Sequence, residues 1–103
     1  MFVEMRQYTL KVGAQGQYVK AYTTEGYAIQ RRHLGEPVGY YVSEVGDLNQ
    51  VVHLWRYDTF DDRTARRKAL WADPEWLAYA AKLGGLVGAQ KSTILYEVDL
   101  PKI

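Results

Sequence analysis

Apolar and polar residues alternate in three separate stretches of the chain, and a period of two is typical of half-buried strands. Phe2 to Leu10, Val51 to Asp58 and Thr93 to Leu100 show this pattern. The segment VGYYVSEV, residues 38–45, is rich in aromatic and branched residues, and GDLN separates it from the strand that follows. A short connection of this kind is typical of a hairpin. The pattern therefore predicts four strands.

Two longer stretches have the spacing of amphipathic helices. From Gln17 to Leu34 apolar side chains recur near one helical face, and Gly35 follows as a stop signal. A second helix is predicted from about Phe60 to Leu83, with a loose capping box at its start. GGLVGAQ, residues 84–90, is predicted to be a loop. The order βαββαβ predicts an α+β, ferredoxin-like fold with a four-stranded antiparallel sheet and two helices on one face. We expect a single domain over residues 1–103.

The segment LWADPEW, residues 70–76, interrupts the second helix. Pro74 lacks an amide hydrogen and pushes the residue before it away from helical angles, so the helix is expected to break there. Asp73 then becomes the N-cap of a new segment. The break lets Trp71 and Trp76 turn inward. We expect both to pack in the helix layer, on the opposite side of the sheet from any ligand site.

Both faces of the predicted sheet are apolar, although one face of such a sheet is usually solvated. One face carries aliphatic residues (Val3, Met5, Val52 and Leu54), which suit packing under the helices. A second subunit is expected to cover the other face, because exposed aromatic rings would form a large apolar patch. Two facing sheets would make a dimeric α+β barrel. The covered face combines aromatic rings with polar groups: Glu4, Arg6, Tyr8, His53, Trp55 and Tyr57.

These residues suit a small-molecule pocket between the two sheets, since such pockets are aromatic with a few converging polar groups. They equally suit a polar cluster that fixes how two subunits meet. In an enzyme, His53 would be the general base and Arg6 would stabilise an enolate or phenolate. His33 follows two arginines and would either hold a carboxylate or cap its helix. The expected ligand-binding residues are Glu4, Arg6, Tyr8, His33, Tyr40, His53, Trp55 and Tyr57.

Composition excludes several classes of function. The chain has no cysteine, which excludes disulfides, thiolate zinc sites and thiol nucleophiles. Its net charge of +1 gives no electrostatic footprint for nucleic acid. No apolar run approaches the ~20 residues of a membrane span, and no targeting segment is recognisable. Metal-ligand spacing and a dinucleotide-binding fingerprint are both lacking. We expect a cytoplasmic protein without metal or cofactor.

The segments MRQYTLKVG, RRHLGEPVGYY and QVVHLWRYD, with the helix break ADPEW, resemble the NIPSNAP family over nearly the whole chain. The resemblance implies a ferredoxin-like domain that pairs into a dimeric α+β barrel, in a bacterial, single-domain member. It implies no defined biochemical role. Three functions stay open: a homodimer or higher oligomer that binds a small, partly apolar, anionic molecule; a cofactor-independent enzyme of monooxygenase or isomerase type in the same cavity; and a protein-interaction module.

Overall fold

The computed structural model describes residues 1–103 and contains four strands and four α-helices. The strands are β1 (Phe2–Leu10), β2 (Gly39–Val42), β3 (Gln50–Tyr57) and β4 (Val87–Tyr96); the helices are α1 (Gln15–Ala21), α2 (Tyr27–Leu34), α3 (Phe60–Ala72) and α4 (Pro74–Leu83). The strands form one antiparallel sheet in the order β2-β3-β1-β4. This confirms the ferredoxin-like fold. None of the helices is long and apolar enough to cross a bilayer.

The first predicted helix is interrupted by a wider turn. Residues Tyr22–Gly26 form one π-helical turn between α1 and α2. The hydroxyls of Thr23 and Thr24 donate to backbone carbonyl oxygens of the preceding turn, at 2.9 and 2.7 Å. Such bonds compete with the backbone amides for the same acceptors, which favours a local irregularity. The helical region ends at Gly35, which has a φ of 79° that suits glycine.

The second predicted helix breaks where the sequence indicates. Asp73 has extended backbone angles (φ −81°, ψ 118°) between α3 and α4. Its carboxylate accepts a hydrogen bond from the amide of Glu75 at 2.9 Å, and Pro74 takes the first helical position. At the start of α3, the Thr59 hydroxyl accepts from the amide of Asp62 at 3.0 Å. Both caps agree with the predictions.

The prediction for the last strand was wrong in its limits. β4 starts at Val87 and ends at Tyr96, so residues 87–90 belong to the strand and residues 97–100 lie outside it. Only residues 84–86 of the predicted loop are outside the sheet, in one 3₁₀ turn. The long β1 explains this difference, because its far half pairs with the start of β4, through Tyr8 with Gln90 and Leu10 with Val87. Backbone pairing outweighs the weak strand propensity of small residues at a sheet edge.

The two faces of the sheet are the reverse of the prediction. The aromatic and polar set faces the helices, and Val51, Trp55 and Tyr57 are almost completely buried there. The register places Arg6 beside His53 and therefore on that same face. The aliphatic set, with Val52 and Leu54, faces away from the helices. Large aromatic rings fill the core between the helices and the sheet, and Glu4 on this face finds its partner Arg63 on α3.

Candidate functional site

A cavity of about 460 Å³ lies between the helix layer and the sheet. Tyrosines from four different elements line it: Tyr8 on β1, Tyr18 and Tyr22 on the first helical region, Tyr40 on β2 and Tyr79 on α4. Trp71 and Trp76 complete the aromatic wall, and residues 87–90 of β4 form another side. Trp71 is 47% exposed and residues 88–90 are also exposed, so the cavity reaches the surface on this side.

His53 lies in the wall of this cavity and is 1% exposed. Its ring stacks on Tyr40, with centroids 4.7 Å apart and an interplanar angle of 9°. Tyr22 stacks on the other side of Tyr40 at 4.3 Å, and Tyr8 meets the imidazole edge-on at 4.9 Å. These contacts hold the imidazole in one orientation within the wall.

The protonation of His53 follows from its neighbour Trp55. The indole Nε1–H of Trp55 donates to Nδ1 of His53 at 2.6 Å. An indole N–H is only a donor, so Nδ1 must offer its lone pair and the proton of the neutral ring sits on Nε2. Burial, followed by the positive charge of Arg6, lowers the pKa of His53 to about 3. Near neutral pH the ring is therefore uncharged, with Nε2–H free of any protein partner.

Two further polar groups of the wall have no partner, the indole N–H of Trp76 and the hydroxyl of Tyr79. Both side chains are more than nine-tenths buried, at 7% and 3% exposure. Buried polar groups are nearly always hydrogen-bonded, so each such group calls for an explanation. The hydroxyl of Tyr22, by contrast, donates to the side-chain oxygen of Gln30 at 2.6 Å.

Burial also favours the protonated form of four tyrosine hydroxyls in the wall. It raises the pKa of Tyr18 to about 12, and it raises the pKa values of Tyr22, Tyr40 and Tyr79 as well. With a neutral His53, the cavity wall therefore carries no formal charge of its own near neutral pH.

Beside the cavity lies an ionic cluster around the buried carboxylate of Glu4, here called the Glu4 cluster; its other members are Arg6, Arg63 and Ser92. Arg63 binds both carboxylate oxygens of Glu4 at 2.9 Å, Arg6 donates at 3.0 Å and the Ser92 hydroxyl at 2.5 Å. Burial opposes ionisation of Glu4, but the bonds from Arg63 and Ser92 and the charge of Arg6 outweigh it and lower the pKa to about 2. Glu4 is thus a satisfied carboxylate whose partners tie β1 to α3 and β4.

The structure separates the residues that the sequence grouped as one ligand site. Tyr8, Tyr40 and His53 line the cavity. The remaining five do not line it: Glu4 and Arg6 belong to the ionic cluster, Trp55 supports His53, Tyr57 lies in the core, and His33 contacts Asp73 at 2.7 Å. His33 therefore links the end of α2 to the start of α4. Of the two catalytic candidates, His53 reaches the cavity and Arg6 does not.

The cavity lies on a different side of the sheet from the one expected. The cavity lies between sheet and helices within one chain, instead of between two sheets, because the aromatic face of the sheet is turned toward the helices. Trp71 and Trp76 consequently line it rather than lying on the opposite side of the sheet. Their rings meet edge-on with centroids 5.9 Å apart.

The sequence analysis missed three lining tyrosines on the helical regions, Tyr18, Tyr22 and Tyr79, in addition to the placement of the tryptophans. A signal existed in their spacing: Tyr18 and Tyr22 are four residues apart, and Trp76 and Tyr79 are three apart, so each pair shares a helical face. The side chains of His, Asp and Glu form no group of three or more that would hold a metal ion.

The sheet order and the helices on one face define a ferredoxin-like α+β protein, with an aromatic cavity between its two layers. The chain belongs to the NIPSNAP family, whose sequence pattern matches residues 3–101. Among curated relatives, the NipSnap homolog of Dictyostelium discoideum is 38% identical over 97 residues, and human NipSnap homolog 3A is 36% identical over 105 residues. These matches cover 94% and 100% of this chain but only 43% and 42% of the relatives' lengths.

Solved structures agree with this assignment. A NIPSNAP family protein of unknown function from Agrobacterium tumefaciens superposes with a TM-score of 0.95 at 42% identity, over 98% of this chain and 91% of its own. An uncharacterised NIPSNAP-like protein from Burkholderia xenovorans gives a TM-score of 0.94 at 38% identity, over 99% and 89%. A candidate antibiotic biosynthesis monooxygenase from Nitrosomonas europaea gives 0.65 at 15% identity, over 96% and 100%, a likeness of fold alone.

Proposed function

We propose that this protein binds a small, partly apolar, anionic molecule in the cavity between its helices and its sheet. The observation that carries the proposal is the aromatic wall with polar groups that have no protein partner: His53, Trp76 and Tyr79. Aromatic walls with a few convergent polar groups are typical of small-molecule sites. These three atoms have almost no accessible surface, so a ligand that moves a neighbouring side chain aside would supply the hydrogen bonds that the protein leaves unmade.

The charges beside the cavity favour an anion. The Glu4 cluster contains two guanidinium groups, from Arg6 and Arg63, against one carboxylate. Arg67, one helical turn after Arg63, is a third partly buried guanidinium, and burial together with the charge of Arg6 lowers its pKa. An anion in the neighbouring cavity would offset this excess of positive charge.

Binding is tested by isothermal titration with 2-naphthoate, a flat, apolar anion, and by filling the cavity. Ala80 lines the cavity on α4, whereas Ala78 on the same helix is exposed. Ala80→Phe should abolish binding, and Ala78→Phe should leave the affinity unchanged. Undiminished binding in Ala80→Phe would place the ligand elsewhere and overturn the proposal.

We propose in addition that two copies pair through the sheet face that points away from the helices. Its residues include Val52 and Leu54, with Tyr41 and Leu95 at 56% and 39% exposure. An apolar sheet face of this kind favours a second layer over it. Leu54→Lys should shift sedimentation equilibrium toward the monomer, and Val45→Lys, in an exposed loop, should not. A wild-type monomer at all concentrations would contradict the pairing.

A cofactor-independent enzyme is the second candidate, and the uncharged Nε2–H of His53 favours it. A fixed donor stabilises negative charge that develops on an enolate or phenolate oxygen. His53 would then act as an oxyanion donor rather than as the general base. Turnover of an enolisable aryl ketone that is lost in His53→Phe would support this function. If the wild-type protein binds the ketone without turnover, the enzyme function is contradicted and the binding function remains.

A further inference from the structure

We propose that His53 selects the ligand by donating a hydrogen bond from Nε2–H to a carbonyl or carboxylate oxygen, and that Trp55 is the positioning residue that keeps the proton on Nε2. This inference rests on the proposed binding function and deepens it, because it names the group that the cavity recognises. The wall would form a hydrogen bond to an acceptor oxygen on a flat, apolar molecule. It would bind the same molecule without that oxygen more weakly.

The hydrogen-bond inventory of the cavity wall supports this direction of recognition. The groups without a partner, Nε2 of His53, Nε1 of Trp76 and the hydroxyl of Tyr79, all carry a hydrogen in the neutral protein. Two acceptors of the wall already have a donor, since the side-chain oxygen of Gln30 accepts from Tyr22 and Nδ1 of His53 accepts from Trp55. A ligand with acceptor oxygens would satisfy the two nitrogen donors, the Nε2–H of His53 and the Nε1–H of Trp76, which cannot accept a hydrogen bond in return.

Trp55 determines which nitrogen of His53 carries the proton, without contacting the ligand. It lies on β3 two residues from His53, is fully buried, and does not line the cavity. If His53 carried its proton on Nδ1, that hydrogen would oppose the indole N–H of Trp55 across 2.6 Å. The alternative tautomer is therefore disfavoured, and the orientation of the imidazole, stacked on Tyr40, directs Nε2 away from Trp55.

The recognised group is tested with three probes of one shape: 2-naphthoate, 2-acetylnaphthalene and 2-ethylnaphthalene. The first two present an acceptor oxygen, and the third does not. A hydrogen bond contributes about 0.5–1.5 kcal/mol, so the acetyl compound should bind about two- to tenfold more tightly than the ethyl compound. Equal affinities for these two would overturn the inference and leave the proposed function standing. Failure of all three to bind would overturn the proposed function itself.

Two tyrosine variants separate recognition from packing. Tyr79→Phe removes an unpartnered hydroxyl in the cavity wall, and Tyr57→Phe removes an unpartnered hydroxyl that lies outside the wall. Both should unfold at a temperature equal to or above that of the wild type, because each loses a buried group without a partner. Only Tyr79→Phe should weaken the binding of 2-acetylnaphthalene. An equal loss of affinity in both, or in neither, would contradict the donor role of the wall.

The tautomer is observed directly by ¹⁵N NMR of the imidazoles, and His33→Asn assigns the spectrum because the chain has two histidines. His53 should show a pyridine-type Nδ1 and a protonated Nε2 whose signal shifts with 2-acetylnaphthalene but not with 2-ethylnaphthalene. Trp55→Phe should give a mixture of tautomers and a smaller preference for the acetyl probe. A protonated Nδ1 in the wild type, or an unchanged tautomer in Trp55→Phe, would overturn the inference.

Discussion

Arg63 on α3 holds both carboxylate oxygens of Glu4 on β1 at 2.9 Å, across 59 residues of sequence. This contact fixes the helix layer over the sheet next to the cavity. Glu4→Gln should lower the free energy of unfolding by about 1.5–3 kcal/mol, because two half-buried guanidinium groups lose their charged hydrogen-bond acceptor. Urea unfolding measures the loss.

The matched control is Glu97→Gln. Glu97 pairs with Arg56, and both side chains are substantially exposed, at 39% and 48%. An exposed pair contributes about 0–1 kcal/mol, so this variant should unfold close to the wild type. A loss for Glu4→Gln as small as that of the control would mean that the Glu4 cluster does not join the two layers.

The buried His53 should make stability depend on pH. Its pKa lies near 3 in the folded protein against an ordinary value of 6.5, so between these values the unfolded chain binds more protons. Stability is then complete above about pH 6.5 and falls as the pH falls toward 3. The slope is about 1.4 kcal/mol per pH unit for one proton. Urea unfolding across this range measures the slope.

Glu4 acts in the same direction lower on the pH scale. Its pKa falls from 4.5 to about 2, so its contribution is lost as the pH falls below 4.5. His53→Phe should therefore flatten the curve above pH 4.5 and leave only the contribution of Glu4 below it, whereas Tyr57→Phe should keep both contributions. Unchanged pH dependence in His53→Phe would show that His53 is not held neutral.

Gly26 is the place where the π-helical turn meets the cavity wall. A Cβ at this position would collide with the ring of Tyr79, whereas a Cβ at Gly16 on α1 would meet nothing within 4 Å. Gly26→Ala should therefore destabilise the protein by about 1–3 kcal/mol through overpacking. Gly16→Ala should stabilise it by about 0.5–1 kcal/mol, because alanine is the better helix former. Thermal unfolding of the two variants checks the opposite signs.

The sequence predicted the elements well because period-two and helical patterns, capping residues and the proline break are local. Thr59, Asp73 and Pro74 act through neighbours within three residues, and the structure confirms each of them. Which face of the sheet the helices cover is not determined by local sequence. Alternation shows that Val52 and His53 point to opposite sides, but the side that receives the helices depends on long-range partners such as Arg63 with Glu4.

The cavity was misplaced for the same reason. Once the aromatic face was assigned to a second subunit, Trp71 and Trp76 were placed across the sheet from it, although both line the cavity with His53. The spacing of Tyr18 and Tyr22 would have located the helical half of the wall only if the covered face had been known. Unpartnered polar atoms are invisible in a sequence, because they depend on which groups fail to meet.

The relationship between Trp71 and Trp76 depends on the helix break. In a continuous helix, two residues five positions apart would point about 140° away from each other. Here extended Asp73 turns the chain, and the two indoles meet edge-on at 5.9 Å. Two devices hold Asp73 in place: the following Pro74, and the bonds of its carboxylate to the amide of Glu75 and the ring of His33.

Removal of both devices should join α3 and α4 and separate the indoles. Pro74→Ala and Asp73→Ala should each reduce the near-ultraviolet circular dichroism of the tryptophan pair in part, and the double variant should reduce it to the level of Trp71→Phe. Because Trp71 and Trp76 line the cavity, the double variant should also bind 2-naphthoate more weakly. Lys82→Ala, an exposed change on α4, should alter neither signal. A double variant that retains the tryptophan signal and the affinity would show that packing alone maintains the break.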